Sequence, residues 1–347
     1  MPWQRCSSTR PLTRITLPHP SLSETFPDYG QLDDEPHDED CERDPANAQH
    51  RPAQQLLALP ADPAQTIATV RHETRTRIQR LRPPVKAHGG KYYLARSIVP
   101  ILLSVRERIT EYLEPCAFGA SVFLAMPRLE REILGDINPD VCALWTVLGK
   151  DGLAATLTDR LSRLPYNEAT FGAARAPSDG TLLDRAMRFL VTCRFSRGGL
   201  RTSFAWSQRT RGGRPGDENA WDTFRSRELP RIIARARGIE VTGDACWWTV
   251  WESREKIHRL IYADPPYLAH TRSAKTAYGP YEMTPLQHFW LVAALRAHSG
   301  PAAISGYRSL EYDRWLEDWR RFDFEMPNNA GQGRRKQRRT ESLWINW

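Results

Sequence analysis

The 347-residue sequence predicts an α/β fold, a sheet with helices on both faces. Two observations carry that expectation. Short apolar stretches alternate with helix-like stretches on either side of the middle of the chain. Four of the apolar stretches run into an acidic residue, where an open α/β sheet presents its ligand-facing loops. With 40% hydrophobic residues the chain can also build a core over much of its length, and there is room for two modest domains.

Residues 1–80 stand apart. They are rich in Pro, Ser, Asp and Gln, and the stretch from Asp33 to Asp44 holds eight acids. Such a segment buries too little apolar surface to offset its ordering entropy, so it reads as a disordered, charged N-terminal arm with a short helix near residues 66–81. From Lys86 the texture changes. Gly89-Gly90 leads into residues 91–98, a loop running into a helix. Residues 110–113 form a strand closed by Glu114-Pro115, residues 120–125 begin a helix, and Arg131–Gly135 is a strand closed by Asp136. Pro139–Gly149 is the next helix.

Residues 150–238 break this rhythm. The stretch from Arg194 to Glu240 has eleven Arg and no Lys against five acids. Phe195, Phe204, Trp206, Trp221 and Phe224 are interleaved, and Gly198-Gly199 and Gly212-Gly213 mark loops. The alternation then resumes. Residues 239–241 form a strand before Gly243-Asp244, and Arg259–Ala263 a strand closed by Asp264. A helix over 284–298 opens on Thr-Pro, and 302–305 is a further strand. Residues 322–326 and 342–346 suit a closing antiparallel pair, with the basic run 334–339 between them.

Net charge is +8 and the isoelectric point about 9.3, which suits either a polyanionic partner or a solvated Arg-rich surface. None of the six cysteines forms a CxxC pair and no Cys/His cluster has zinc-ligand spacing, so no metal is expected. The cysteines read as reduced, mostly buried thiols. No apolar run has membrane-span length and no signal core opens the chain, so a cytoplasmic location away from membranes is expected.

The most specific motif is Asp264-Pro265-Pro266-Tyr267, directly after the apolar strand. An exocyclic ring amine is a poor nucleophile because its lone pair is delocalised. Two acceptors aimed at its hydrogens favour a tetrahedral nitrogen and stabilise the positive charge that develops there. Asp264 supplies a carboxylate, and the Pro265 carbonyl a second acceptor on a stiffened backbone. Pro266 has no competing N–H, and Tyr267 offers a flat face for an unstacked base.

In order, the chain carries Lys86-Ala-His-Gly-Gly-Lys91, Glu114-Pro-Cys-Ala-Phe-Gly-Ala-Ser121, Gly135-Asp136-Ile-Asn138, the Arg-rich stretch, Gly243-Asp244-Ala245, Asp264–Tyr267, and a terminal Arg339-Thr-Glu-Ser-Leu-Trp-Ile-Asn346. This ordered set resembles the Dam-like DNA adenine methylases over roughly residues 84–347. The resemblance implies a Rossmann-like methyltransferase sheet (84–150 and 239–347) with an inserted, mainly helical target-recognition domain (151–238). It implies S-adenosylmethionine as cofactor, held by Lys86, Gly90, Lys91, Glu114, Pro115, Gly119, Asp136 and Asp244. The spacing of Asp136 after Gly119 also suits an acid that binds ribose hydroxyls. Asp264, Pro265, Pro266 and Tyr267 would be catalytic, with methyl transfer to the 6-amino group of adenine in double-stranded DNA. Arg194, Arg197 and Arg201, which flank Gly198-Gly199, are the candidate DNA contacts. A monomer is expected, and a cognate restriction endonuclease is a candidate partner.

Two further readings stay open on the sequence. Cys116, Phe118 and Ala120 depart from the small-residue pattern of the family's cofactor loop, which is the ground for a DNA-binding protein of this fold without turnover. A motif of the Asp264–Tyr267 type also serves RNA adenine or protein glutamine methylation, since both acceptors offer a planar amine.

Overall fold

The computed structural model describes residues 81–86, 90–176, 180–207, 209–272, 278–327 and 338–347. The expected N-terminal arm, the helix near 66–81, Gly89 and most of the basic run 334–339 lie outside the described residues.

A seven-stranded sheet organises the chain. Its strands are β1 (Glu111–Glu114), β2 (Arg131–Gly135), β3 (Glu240–Thr242), β4 (Arg259–Ala263), β5 (Ala302–Gly306), β6 (Arg320–Pro327) and β7 (Arg338–Ile345), in the order β3-β2-β1-β4-β5-β7-β6. The first five are parallel and β7 runs antiparallel to both neighbours. The chain steps outward from β1 to β3, then returns to lay β4 beside β1 and steps outward the other way. That reversal makes the carboxyl ends of β1 and β4 the place where such sheets bind ligands.

Both faces are covered, and the strands alternate accordingly. Tyr112, Leu260 and Tyr262 point into one apolar cluster, and Leu113, Ile261 and Ala263 into the other. Burial on both sides is why β4 reads as the unbroken apolar run Leu260-Ile-Tyr-Ala263. The first cluster takes in α1 (Ala95–Leu102), α2 (Ser121–Ala125) and α3 (Pro139–Gly149). The second takes in α9 (Cys246–Trp251), α10 (Pro285–Ala297) and α11 (Leu310–Trp315). Helix starts follow local chemistry. Asn138 caps α3 ahead of Pro139, and Thr284 with Gln287 forms a capping box on α10.

Residues 151–238 are mainly helical: α4 (Asp151–Ser162), α5 (Glu168–Arg175), α6 (Leu182–Arg194), α7 (Gly216–Thr223) and α8 (Leu229–Ala236), with one two-stranded ribbon at Thr210–Arg211 and Arg214–Pro215. Phe195 is the hub of their aromatic packing, 4.3 Å from Tyr166 and 4.9 Å from Trp221 between ring centroids. Phe195, Trp221 and Phe224 are thus core residues, whereas Trp206 is exposed. The buried side chains of this stretch join the same apolar cluster as the α1–α3 face of the sheet. No described helix is long and apolar enough to cross a membrane.

Three sequence expectations are adjusted. β3 begins one residue later than expected, the β6–β7 hairpin is longer, and α9 and α11 add to the expected helices. Both are only six residues long, too short to print a helical period.

Candidate active site

β1 and β4 lie side by side, so the residues that follow them share one space. A cavity of about 560 Å³ opens there. Of the residues singled out in the sequence, Lys86, Gly90, Lys91, Glu114, Pro115, Gly119, Asp136, Arg201, Asp264, Pro265 and Pro266 line it. The glycine loop, the acid after β2 and the carboxylate after β4 are therefore walls of a single chamber.

The loop between β1 and α2 is built around two unusual residues. Phe118 and Ala120 adopt φ of +37° and +45°, the left-handed region that glycine enters most easily. These are positions where the sequence departs from the small-residue pattern. Side-chain and backbone contacts hold the strained turn instead. The Phe118 N–H donates to Asp136 Oδ2 at 2.9 Å, and the Trp145 indole donates to the Phe118 carbonyl at 2.7 Å. The Phe118 ring meets Phe189 of α6 edge-on at 5.9 Å.

Asp136 accepts a second backbone N–H, from Asn138, at 2.9 Å. Each of its oxygens thus takes one backbone donor and has capacity for a second, and the residue lines the cavity. Burial pushes its carboxyl up to about 6 despite those two donors. Glu114 accepts from the Tyr112 hydroxyl at 2.9 Å and the Phe123 N–H at 3.0 Å, and burial pushes it up to about 8. A carboxyl whose folded pKa is raised favours the fold below its ordinary value of 4.5 and loses that advantage as pH rises through about 8. Glu114→Gln keeps an acceptor for both donors and removes the titration. Its melting temperature is expected to exceed that of the parent above pH 8 and to converge with it below 4.5, read by paired thermal melts.

Asp264 sits in a buried ionic cluster. Lys91 Nζ lies 2.8 Å from Asp264 Oδ1 and 3.5 Å from Glu341 Oε2, and the Tyr267 hydroxyl donates to Glu341 at 2.5 Å. Burial would lower the Lys91 ammonium, but Asp264 and Glu341 together carry it above its ordinary value. Burial likewise raises Asp264, with Lys91 opposing and Glu341 reinforcing.

Four residues with expected roles have surroundings that the sequence does not show. Lys91, expected over the cofactor, lines the cavity and also pairs directly with Asp264. Tyr267 is not a bare stacking face: it is 7% exposed, Lys91 Nζ lies 4.7 Å from its ring centre, and Tyr307 abuts it at 4.6 Å. Asp244 is exposed and is not part of the cavity wall; it accepts from the Thr242 hydroxyl at 2.6 Å. Arg194 is turned inward, stacked 3.5 Å from the Phe224 ring centre and paired with Glu228 at 3.2 Å. Burial brings it down to about 10. Arg197 is exposed, and Arg201 is half-buried at the cavity with φ of +61°.

The wall also contains residues that the sequence did not single out. Ile137 and Trp247 supply apolar surface to it, and Leu200, Tyr278, Tyr281 and Met283 line the cavity as well. Ile137 directly follows Asp136, and Trp247 stands three residues after Asp244, so both lie next to positions that the motifs mark. Leu200 arrives because Gly199, with φ of +77°, lets its loop approach the Lys86 carbonyl; a Cβ there would come to 2.1 Å.

The chamber offers an acidic group for hydroxyls, apolar walls for a flat ring and, at its other side, a carboxylate beside a proline carbonyl. Against known protein families, the model of the D12 class N6 adenine-specific DNA methyltransferases matches residues 88–299, more than half of the chain. No curated protein matches the chain.

Proposed function

The chain belongs to the D12 class of N6 adenine-specific DNA methyltransferases, and from that premise we propose that it methylates the 6-amino group of adenine in duplex DNA with S-adenosylmethionine as donor. The family is an enzyme family and its acceptor is DNA adenine, which favours this reading over those without turnover and with RNA or glutamine acceptors. The single observation that supports the proposed chemistry best is the sharing of one cavity by Asp136, Gly119 and Asp264.

The residues present fit the cofactor. The remaining acceptor capacity of Asp136 suits ribose hydroxyls, Ile137 and Trp247 suit the two faces of a purine, and a chamber of about 560 Å³ is of cofactor size. Lys86, Gly90, Glu114, Pro115 and Gly119 complete its walls. Bound S-adenosylmethionine supplies a methyl group already activated by its sulfonium. The chain's own residues do the rest. Asp264 and the Pro265 carbonyl accept the two amine hydrogens, bringing the nitrogen lone pair out of conjugation as it attacks. The amine gives up its extra proton after transfer, with Asp264 the nearest acceptor. The cavity walls exclude water. Residues 151–238 act as the target-recognition segment, and exposed Arg197 with Arg201 at the opening binds the DNA backbone.

The test is methyl transfer from radiolabelled S-adenosylmethionine to equal amounts of duplex DNA, single-stranded DNA and RNA. Label appearing first in duplex DNA, as N6-methyladenine, supports the reading. Label confined to RNA or absent from all three overturns it. Replacing Arg197 and Arg201 with Ala is expected to weaken duplex binding and to flatten the dependence of log affinity on log salt, by about one unit of slope for each phosphate left unneutralised.

A further inference from the structure

Resting on that reading, we infer that Glu341 is a positioning residue of the reaction, holding Lys91 and Tyr267 so that Asp264 keeps its acceptor capacity for the amine. Glu341 lies on β7, beyond the residues that the family model matches. It is 9% exposed and stands opposite Phe324 of β6.

The geometry gives Glu341 two tasks. Its Oε2 receives the Tyr267 hydroxyl at 2.5 Å and lies 3.5 Å from Lys91 Nζ. Both also bear on Asp264, since Lys91 Nζ is 2.8 Å from Oδ1 and the Tyr267 hydroxyl, like Lys91, opposes the upward shift of its carboxyl. A carboxylate saturated by an ammonium and a phenol is a weak acceptor for a third donor. Glu341 diverts part of that donation. It also adds a second carboxyl group opposite the Lys91 ammonium, so the cluster holds one acid more than it holds bases, matched to the positive charge that develops on the attacking nitrogen. Neutralising Glu341 as the amide leaves one neutral acceptor for the Tyr267 hydroxyl, removes that second carboxyl group and leaves the Lys91 ammonium to Asp264 as its one carboxylate partner in the cluster.

The groups facing Asp264 define the pH response. Lys91 comes from the loop before α1, Glu341 from β7 and Glu114 from β1. The phenols of Tyr262, Tyr267, Tyr278 and Tyr312 face it as neutral groups, each held above its ordinary pKa by burial, and so does the Cys116 thiol, which its hydrogen bond with Cys246 and then burial hold above its ordinary value. Glu341 makes Asp264 harder to ionise, so losing its charge moves the acid limb of the rate profile to lower pH.

The experiment compares the full chain with Glu341→Gln and Glu341→Asp in steady-state methyl transfer to duplex DNA across pH, with thermal melts alongside. Glu341→Gln is expected to lower kcat roughly ten- to a hundredfold, less than loss of a directly contacting group, with KM for DNA unchanged and the acid limb moved to lower pH. Glu341→Asp is expected to recover part of kcat with the acid limb at the parent pH. Parent kcat in the Gln variant, or reduced kcat without movement of the limb, overturns the inference. Should Glu341→Gln fail to fold, Glu341→Asp decides: parent kcat overturns the inference, and lowered kcat at unchanged KM supports it. A parent chain that transfers no methyl group to any DNA is a different outcome, and overturns the proposed function itself.

Discussion

Asp264→Asn is expected to slow methyl transfer by roughly a thousandfold while DNA and cofactor still bind. In the proposed mechanism the Asp264 carboxyl group, at the carboxyl end of β4, is the acceptor for the substrate amine. The amide keeps its shape but halves its acceptor capacity and turns an N–H₂ donor toward Lys91 or the substrate amine, both of which donate. Because Asp264 is buried beside Lys91 at 2.8 Å, the same change takes away the nearer of the two carboxylates that hold the ammonium and leaves Glu341 at 3.5 Å. The variant is therefore expected to melt lower as well. Single-turnover kinetics on preformed complexes separate the two effects, because a folding defect lowers the amplitude and a chemical defect lowers the rate. A single-turnover rate within tenfold of the parent would remove Asp264 from the centre of the mechanism.

The largest stability effect is expected from Glu132→Ala. Glu132 on β2 and Arg235 on α8 are both buried and form a two-pronged pair, 2.7 Å on each prong. The same guanidinium donates to the Phe123 carbonyl at 2.9 Å and lies 3.8 Å from the centre of the Phe123 ring. One residue thereby ties the end of the Arg-rich stretch to α2 and the sheet. Removing the carboxylate strands a buried cation, which costs about 3–5 kcal/mol. For a chain of this size that corresponds to a fall in melting temperature of roughly 10 °C. The double variant Glu132→Leu with Arg235→Met buries no charge and is expected to recover most of the loss. A melting temperature in Glu132→Ala equal to that of the parent would show that the pair contributes nothing.

What the sequence discloses follows from where physical constraints are local. β4 is legible because burial on both faces writes a continuous apolar run, and α3 because Asn138 and Pro139 announce its start. Asp136, Gly119 and Asp264 are legible as neighbours because an α/β sheet brings the carboxyl ends of its strands to one edge. The rest depends on partners distant in the chain. Nothing near Arg194 says that it turns inward, since Phe224 and Glu228, some thirty residues further along the Arg-rich stretch, hold it. Tyr267 reads as a free aromatic until Glu341, on the closing strand, takes its hydroxyl. Phe118 and Ala120 look like departures from a glycine pattern. The fold keeps the left-handed backbone at both positions and supports it at Phe118 through Trp145, Asp136 and Phe189.

The central claim is that the chamber shared by Asp136 and Asp264 methylates adenine in DNA. Long-read sequencing of DNA from cells expressing the chain, set beside cells expressing Asp264→Ala, tests it most directly. The expected result is N6-methyladenine recurring in one sequence context with the parent chain and absent with the variant. DNA unmodified in both, or modified equally in both, would contradict the account.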